Sequence, residues 1–225
     1  EQREDGSWEG EVVWCALLSA QYALACYLMG IPLTETRRAR ILTQFRRTQD
    51  AQGLWGLHAH SEPYLFVTAL VYVAARLLGV SSEDPLIARA KAFIAREGGV
   101  GEIPSWGKFW LAMLNLYEWE GVNPVLPEAW SVPTWAPLHP RHYYCHTRLI
   151  YMAMAVIYGE RLRAPLSPTL LELRDELFGG AYANTKFGSL AGALRQEELY
   201  TPPSRPLRML YAGARLVERL HNPSR

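Results

Sequence analysis

The sequence has little cysteine and almost no net charge, and both shortages narrow the classes of protein it can belong to. Its 225 residues include three cysteines, Cys15, Cys26 and Cys145, which cannot all pair with one another and lack the spacing of metal ligands. A disulfide framework and a zinc site are therefore not expected, and a reducing compartment is favoured. The formal net charge of +1 at pH 7 gives no general electrostatic reason to expect a nucleic-acid partner.

Long hydrophobic runs and a secretory leader are also missing. No apolar stretch approaches the roughly 20 residues that a membrane-spanning helix needs, because Arg, Glu, Gly or Pro interrupts every candidate. Residues 1–11 are acidic and polar, unlike a signal peptide. With 49% hydrophobic and 20% charged residues, the composition is that of a globular chain with a sizeable core, and a single domain is the default expectation.

A short motif occurs twice near the start of the chain. Gln2, Gly6 and Trp8 have the same spacing as Gln49, Gly53 and Trp55, so that both segments read Q-x-x-x-G-x-W, with 47 positions between the two glutamines. This distance suits one helical hairpin of a repeat array. We expect the glycine to allow a tight turn, the glutamine to bond backbone at the end of a neighbouring helix, and the tryptophan to pack against the next repeat. Because the motif is already under way at residue 2, we expect the natural start to lie upstream.

Apolar residues recur at three- and four-residue intervals along most of the chain, and no segment alternates as a strand does. Glycine and proline punctuate these segments as helix ends and starts. The prolines and tryptophans of residues 121–140 indicate an ordered loop rather than a helix or a disordered linker. The prediction is an all-α fold of stacked helical hairpins, with helices over about 15–29, 35–48, 63–78, 85–96, 108–117, 142–159, 168–177 and 206–220.

Several stretches from the middle of the chain onward follow one another in a familiar order. They are IPSWGKFWLA at 103–112, YEWEG at 117–121, WAP with HP at 135–140, CHTR at 145–148 and ELYTP at 198–202. In this order they resemble characteristic segments of the oxidosqualene cyclase family, which includes lanosterol and cycloartenol synthases. The two Q-x-x-x-G-x-W motifs resemble the tandem repeats that this family shares with squalene-hopene cyclases. Together the matches span nearly the whole chain.

The resemblance implies a fold of two α/α barrels with the active cavity between them. Residues 1–225 would then form a single α/α-barrel domain, incomplete and belonging to the N-terminal half of the protein. It also implies a monotopic protein that lies on the cytoplasmic face of a membrane, that of the endoplasmic reticulum in a eukaryote or the cytoplasmic membrane in a bacterium. The expected partners are 2,3-oxidosqualene or squalene, the membrane surface and the remainder of the cyclase chain. No cofactor or metal is expected.

The resemblance also assigns roles to particular residues. Cyclases of this family protonate the epoxide of 2,3-oxidosqualene and guide a carbocation through the folded polyene, and aromatic faces stabilise a desolvated cation by about 2 kcal/mol or more. By family position, Trp110, Tyr144 and His146 are expected to line the substrate cavity. Thr147 and Tyr151 match positions at the constriction of the substrate channel. For Trp8 and Trp55 we expect a structural role in the repeats.

Three positions depart from the family pattern. Val12 stands where lanosterol synthases have a tyrosine associated with shaping the B ring, which favours a cyclase lineage other than a standard lanosterol synthase. Tyr144 stands where a tryptophan is usual. Thr147 replaces a cysteine that helps to hydrogen-bond the catalytic acid in some members, and a threonine hydroxyl is also a donor.

The family's proton donor lies in an Asp-Cys-Thr-Ala-Glu motif, and these 225 residues do not contain that motif. Asp50 in a repeat linker, Asp84 before a helix and Asp175 on an amphipathic face each have a plain structural explanation. We therefore expect the chain to be the N-terminal part of a cyclase, ending before the half that carries the acid.

Two other hypotheses remain open. One is a squalene-hopene type of cyclase, for which the SWGKFW and ELYTP stretches are less expected in this form. The other is a non-catalytic helical repeat module that binds a lipid or a protein. A protein prenyltransferase is set aside, because the adjacent Cys145 and His146 lack a suitable third zinc ligand.

The purified 225-residue chain is expected to have no cyclase activity of its own. Without the acid motif it has no group to protonate the epoxide. Incubation with 2,3-oxidosqualene followed by gas chromatography and mass spectrometry checks this, and any cyclic triterpene product would contradict it.

Overall fold

The structure is a computed structural model that describes residues 4–7, 15–58, 61–136, 139–198 and 204–221. Within these ranges all regular structure is helical, apart from one isolated antiparallel bridge between Gly56 and Pro63. The predicted all-α class is therefore confirmed for the described part of the chain. The chain divides into two compact units, Glu1–Ile94 and Ala95–Arg225.

The first unit contains three complete helices and most of a fourth. They are α1, Leu17–Leu28; α2, Glu35–Thr48; α3, Leu65–Leu77; and α4, Ala88–Arg96. The hydroxyl of Thr34 caps α2 by accepting a hydrogen bond from the N–H of Arg37 at 3.3 Å. α4 begins three residues later than Pro85 suggested, because residues 84–87 form a turn in which the Asp84 carboxylate accepts from the N–H of Leu86 at 2.9 Å.

α3 forms the centre of the first unit. All of its residues from Leu65 to Ala75 are buried, and α1 packs against it through small residues such as Ala20 and Ala23. α2 is amphipathic and buries only Ile41, Leu42 and Phe45. The inner helix α3 is therefore buried on all sides over most of its length, whereas the outer helix α2 is buried on one side only, as the sequence pattern predicts.

The second Q-x-x-x-G-x-W segment connects α2 to α3. The side-chain amide of Gln49 donates to the carbonyl oxygen of Gly53 at 2.8 Å and to that of Leu86 at 2.7 Å. Gly53 has a φ of +82°, which favours glycine. The indole N–H of Trp55 donates to the carbonyl of Phe45 at 2.9 Å at the end of α2. Gln49 thus joins its own linker to the segment before α4.

The first copy of this motif is described only in part. Gly6 also has a φ of +82°, as Gly53 does. Gln2, Trp8 and Val12 lie outside the described residues.

Among its described residues, the second unit contains the other five helices and several 3₁₀ turns. The helices are α5, Ser105–Met113; α6, Cys145–Gly159; α7, Pro168–Phe178; α8, Phe187–Leu190; and α9, Arg205–His221. The 3₁₀ turns are Trp119–Gly121, Pro127–Trp130, Pro140–His142, Tyr182–Asn184 and Gln196–Glu198. One of them, Pro127–Trp130, lies within the proline-rich loop 121–140 that is predicted to be ordered, and two others lie at its ends.

α5 occupies different residues from those predicted. It was expected over 108–117, but it begins at Ser105 directly after Pro104 and ends at Met113. Asn115 has a φ of +60°, which is incompatible with continuing the helix. Gly107 lies inside the helix and is buried, so it does not break the helix there.

Lys108 on α5 is a buried charge that the sequence pattern does not reveal. Its side chain is 1% exposed, and its amine donates to the carbonyl oxygens of Leu190 at 2.6 Å and Ala193 at 2.8 Å. Burial lowers the pKa of Lys108 to about 8, and the charge of Glu102 opposes that shift. Through these two hydrogen bonds Lys108 links α5 to the end of α8 and to the segment that follows it.

Substituting Lys108→Met is expected to make the protein less stable by an amount that grows with pH. Because the pKa of Lys108 is about 8 when folded and 10.5 in its ordinary state, the unfolded chain holds a proton that the native protein loses between these values. The free energy of unfolding of the wild type therefore rises with pH in that window, by at most about 1.4 kcal/mol per pH unit. K108M lacks this rise and leaves two carbonyls without a donor, at about 1–3 kcal/mol each.

Urea unfolding at about pH 7.5 and about pH 9.5 measures the effect. The exposed Lys186 provides the matched control, K186M, for which no growing difference is expected. A K108M deficit that stays constant across these pH values would contradict the prediction.

Candidate functional site

Four of the five residues assigned to the substrate cavity and channel lie at the start of α6. Tyr144 precedes the helix in an extended conformation, and its carbonyl accepts the N–H of Arg148 at 2.9 Å. His146, Thr147 and Tyr151 follow on the first two turns. The 3₁₀ turn Pro140–His142 comes shortly before this helix start. The ring of His139 caps the turn by accepting a hydrogen bond from the N–H of Arg141 at 2.9 Å.

An apolar cavity of about 430 Å³ lies beside α6 in the second unit. This volume is within the usual range for a small-molecule site, about 300–1,000 Å³. Thr147 and Tyr151, the two residues predicted at a channel constriction, both line it. The other lining residues come from the proline-rich loop, from the segment just before α6, from α6 itself and from α9: Pro124, Val125, Leu126, Ala129, Trp130, Val132, Pro140, Tyr143, Ala155, Leu207, Leu210, Tyr211 and Ala214.

Three tyrosines group at one side of this cavity. The rings of Tyr143 and Tyr151 meet edge to face at 6.3 Å, and Tyr211 lines the same cavity from α9. Burial raises the pKa of Tyr211, and the neighbouring Tyr151 adds to the increase. The cavity therefore has mainly apolar walls with three tyrosine side chains among them, which suits an uncharged, mainly hydrocarbon ligand.

Tyr144 and His146 lie outside this cavity. Their rings stack at 5.1 Å with an interplanar angle of 26°, and Tyr144 is 70% exposed. Cys145 Sγ lies 3.2 Å from His146 Nδ1. No group of three His, Cys, Asp or Glu side chains suited to a metal occurs among the residues that the structure describes.

Trp110 lies on α5, in a separate aromatic group. Its ring meets Trp106 edge-on at 6.1 Å, and it is only partly buried. The five predicted residues thus divide into a pair lining the cavity, an exposed stacked pair and one tryptophan on another helix. Their roles in cavity and channel remain predictions.

Tyr143 and Tyr211 belong to the cavity but were missed from the sequence. A signal for Tyr211 was present, since Leu207, Leu210, Tyr211 and Ala214 have the i, i+3, i+4, i+7 spacing of one helix face. What that face lies against cannot be read from spacing. For Tyr143, in the extended residue between a 3₁₀ turn and α6, no periodic signal exists.

Comparison with known protein families shows to which family the chain belongs. The family model described as the squalene-hopene cyclase N-terminal domain matches residues 1–222. Human lanosterol synthase is 41% identical over 221 residues, covering 98% of this chain and 30% of the human protein. The chain belongs to the oxidosqualene cyclase family.

Other members of this family differ in the products their names state. Cycloartenol synthase of Dictyostelium discoideum is 34% identical over 98% of this chain and 32% of its own length. Protostadienol synthase A of Arthroderma gypseum is 32% identical over 80% of this chain and 25% of its own length. The chain therefore spans about a third or less of these cyclases and corresponds to their N-terminal portion.

No helix in the described portion of this cyclase segment is long and apolar enough to cross a membrane. Several apolar side chains are nevertheless exposed on the two helices that border the cavity. On α6 they include Leu149, Ile150, Met152 and Val156, and on α9 they include Leu207, Met209, Leu210, Leu216 and Val217.

Tyr151→Ala is expected to destabilise the protein more than Tyr144→Ala. Tyr151 is 40% exposed and packs edge to face against Tyr143, so its removal should cost about 1–2 kcal/mol, less than the roughly 3–5 kcal/mol of a fully buried aromatic ring. Tyr144 is mostly exposed, and its loss should change the free energy of unfolding by no more than about 0.5 kcal/mol. Chemical denaturation of both variants decides this, and equal losses would be evidence against the described positions.

Proposed function

We propose that this chain is the N-terminal domain of a triterpene cyclase that converts 2,3-oxidosqualene to a sterol or another polycyclic triterpene by cationic cyclisation. In this proposal the segment supplies part of the cavity wall and of the passage through which the substrate enters. The observation that carries it is that Thr147 and Tyr151, assigned to the channel by family position, line one apolar cavity. Residues 1–225 would form one α/α barrel.

The chemistry requires a water-free space with aromatic faces. Protonation opens the epoxide C–O bond, and the π electrons of successive double bonds then attack the cationic carbon, so positive charge moves along the hydrocarbon. Trp110, Tyr144 and His146 would contribute faces or a polar edge along that path. The acid that donates the proton would come from the remainder of the cyclase.

The exposed stacked pair Tyr144 and His146 agrees with a site that this segment and the remainder of the cyclase form together. Tyr144 is 70% exposed, and Leu149 and Ile150 on the following turns of α6 are exposed as well. Exposed apolar side chains grouped on one element suit a surface that another part of the protein covers. We infer that the rest of the cyclase chain covers this end of α6 and completes the cavity there.

Membrane association forms part of the same proposal. A substrate as apolar as oxidosqualene partitions into lipid, so an enzyme that takes it up is expected to lie on a membrane surface. The exposed Met209, Leu216 and Val217 on the strongly amphipathic α9 are compatible with such a position. The cytoplasmic face is the expected side, of the endoplasmic reticulum in a eukaryote.

Two alternatives are kept. One is a cyclase of the squalene-hopene type acting on squalene itself, since the matching family model carries that description. A helical module that binds a lipid without chemistry would also use the apolar cavity. These readings differ in substrate and in whether any product forms.

A chimeric enzyme tests the proposal. The 221 residues of human lanosterol synthase that match this chain are replaced by it, and squalene and 2,3-oxidosqualene are offered separately, with the products identified by mass spectrometry. We expect cyclic product from oxidosqualene only. Product from squalene would favour the alternative type, and a folded chimera that converts neither substrate would contradict a cyclase role, with unaltered human enzyme as the control.

A further inference from the structure

Two cavities of the second unit adjoin at the same side chains. Besides the cavity of about 430 Å³, a smaller one of about 150 Å³ lies between α5, α6 and α9. Val125, Tyr151 and Tyr211 line both. The smaller cavity extends to Trp106 and Phe109 on α5, the helix that also carries Trp110.

The two tyrosines stand between these cavities from opposite helices. Tyr151 projects from α6 and Tyr211 from α9, and each of them lines both cavities. Tyr211 is only partly buried. Side chains with little buried area move readily, so these rings can separate the two cavities and still yield to an apolar chain.

α9 is attached in a way that aims Tyr211 at Tyr151. Of its side chains that the structure describes, 205–218, none is buried, so packing alone does not set its position. Instead the Glu218 carboxylate accepts hydrogen bonds from the Tyr158 hydroxyl at 3.0 Å and pairs with Arg161. Arg215 adds a bond to the side-chain oxygen of Asn123 at 3.3 Å. These polar contacts hold the last turns of α9 against the end of α6.

We propose that Tyr211 is a specificity-determining residue of this cyclase, which together with Tyr151 forms a partition between the two cavities and limits how far an apolar chain can enter. The inference rests on the proposed function, since it assumes a linear isoprenoid ligand. Glu218 is the positioning residue that holds α9, and with it Tyr211, at the partition.

Binding of isoprenoid alcohols of increasing length to the 225-residue chain tests this. Geraniol, farnesol and geranylgeraniol are titrated into the wild type and the variants Y211A, Y211L and Y211F. In the wild type the gain in affinity per added isoprene unit should level off when the larger cavity is full. In Y211A and Y211L the cavities are joined, and the next unit should bind at least about tenfold tighter, because it buries further apolar groups.

Y211F keeps the ring and loses only the hydroxyl, so it should retain the length limit or relax it slightly. The exposed Tyr22, in the first unit, supplies the control Y22A, which should behave as the wild type. Leucine is shorter than tyrosine and opens the partition, but it keeps more apolar contact than alanine, so Y211L decides the matter if Y211A does not fold. An unchanged length dependence in Y211L would overturn the role of Tyr211.

Glu218 is tested by hydrogen exchange with the neighbouring exposed Glu160 as its control. E218Q should speed exchange of α9 amides about tenfold while leaving α7 unchanged, and E160Q should alter neither. Equal acceleration in α7 would show a general loss of stability and overturn the positioning role.

These measurements do not require turnover. A chimera without activity but with a length limit that depends on Tyr211 would count against the cyclase role alone. Failure of all the alcohols to bind the wild type and the Tyr211 variants would overturn the partition itself.

Discussion

The placement of the cavity depends on the burial of Trp119. Its ring meets Phe109 of α5 edge to face at 5.0 Å and Tyr158 of α6 at 5.6 Å, so one side chain in a short 3₁₀ turn fixes the two helices relative to each other. Buried aromatic pairs of this geometry contribute about 0.5–1.5 kcal/mol each beyond the area they bury. Tyr158 then carries the arrangement onward, because its hydroxyl bonds Glu218 of α9. The helices that form the cavity walls are thus positioned by buried aromatic contacts outside the cavity rather than by contacts within it.

In this arrangement the part of the second unit that is held rigidly differs from the part that can move to admit a ligand. The aromatic core is buried, whereas the helix that closes the cavity is attached mainly through polar contacts at its surface. Elements that move are generally those with little buried apolar area. A fold that takes up a long apolar molecule needs both properties, since its walls must exclude water while one of them yields to the ligand.

The first unit shows how a repeat joins helical hairpins without a large loop. Gln49 donates to two backbone carbonyl groups, and Trp55 donates to the carbonyl of Phe45 near the end of α2, which the Thr48 hydroxyl also reaches at 3.4 Å. Helix ends leave such groups unpaired, and burying them unpaired costs about 1–3 kcal/mol each. The repeated residues are therefore explained by backbone hydrogen bonding rather than by chemistry on a substrate.

Local interactions explain which features of this protein were determined by the sequence alone. The ends of α2 and α7 follow from the caps Thr34 and Ser167 and from Gly179 in a left-handed conformation, all of them local contacts. The family followed from motifs in a fixed order along the chain. Only the tertiary structure decided that Thr147 and Tyr151 share a cavity with Tyr211, that Tyr144 and His146 lie outside it, and that Lys108 is buried. These depend on segments about 60 to 90 residues apart meeting in space, and no periodicity within one helix specifies its partner.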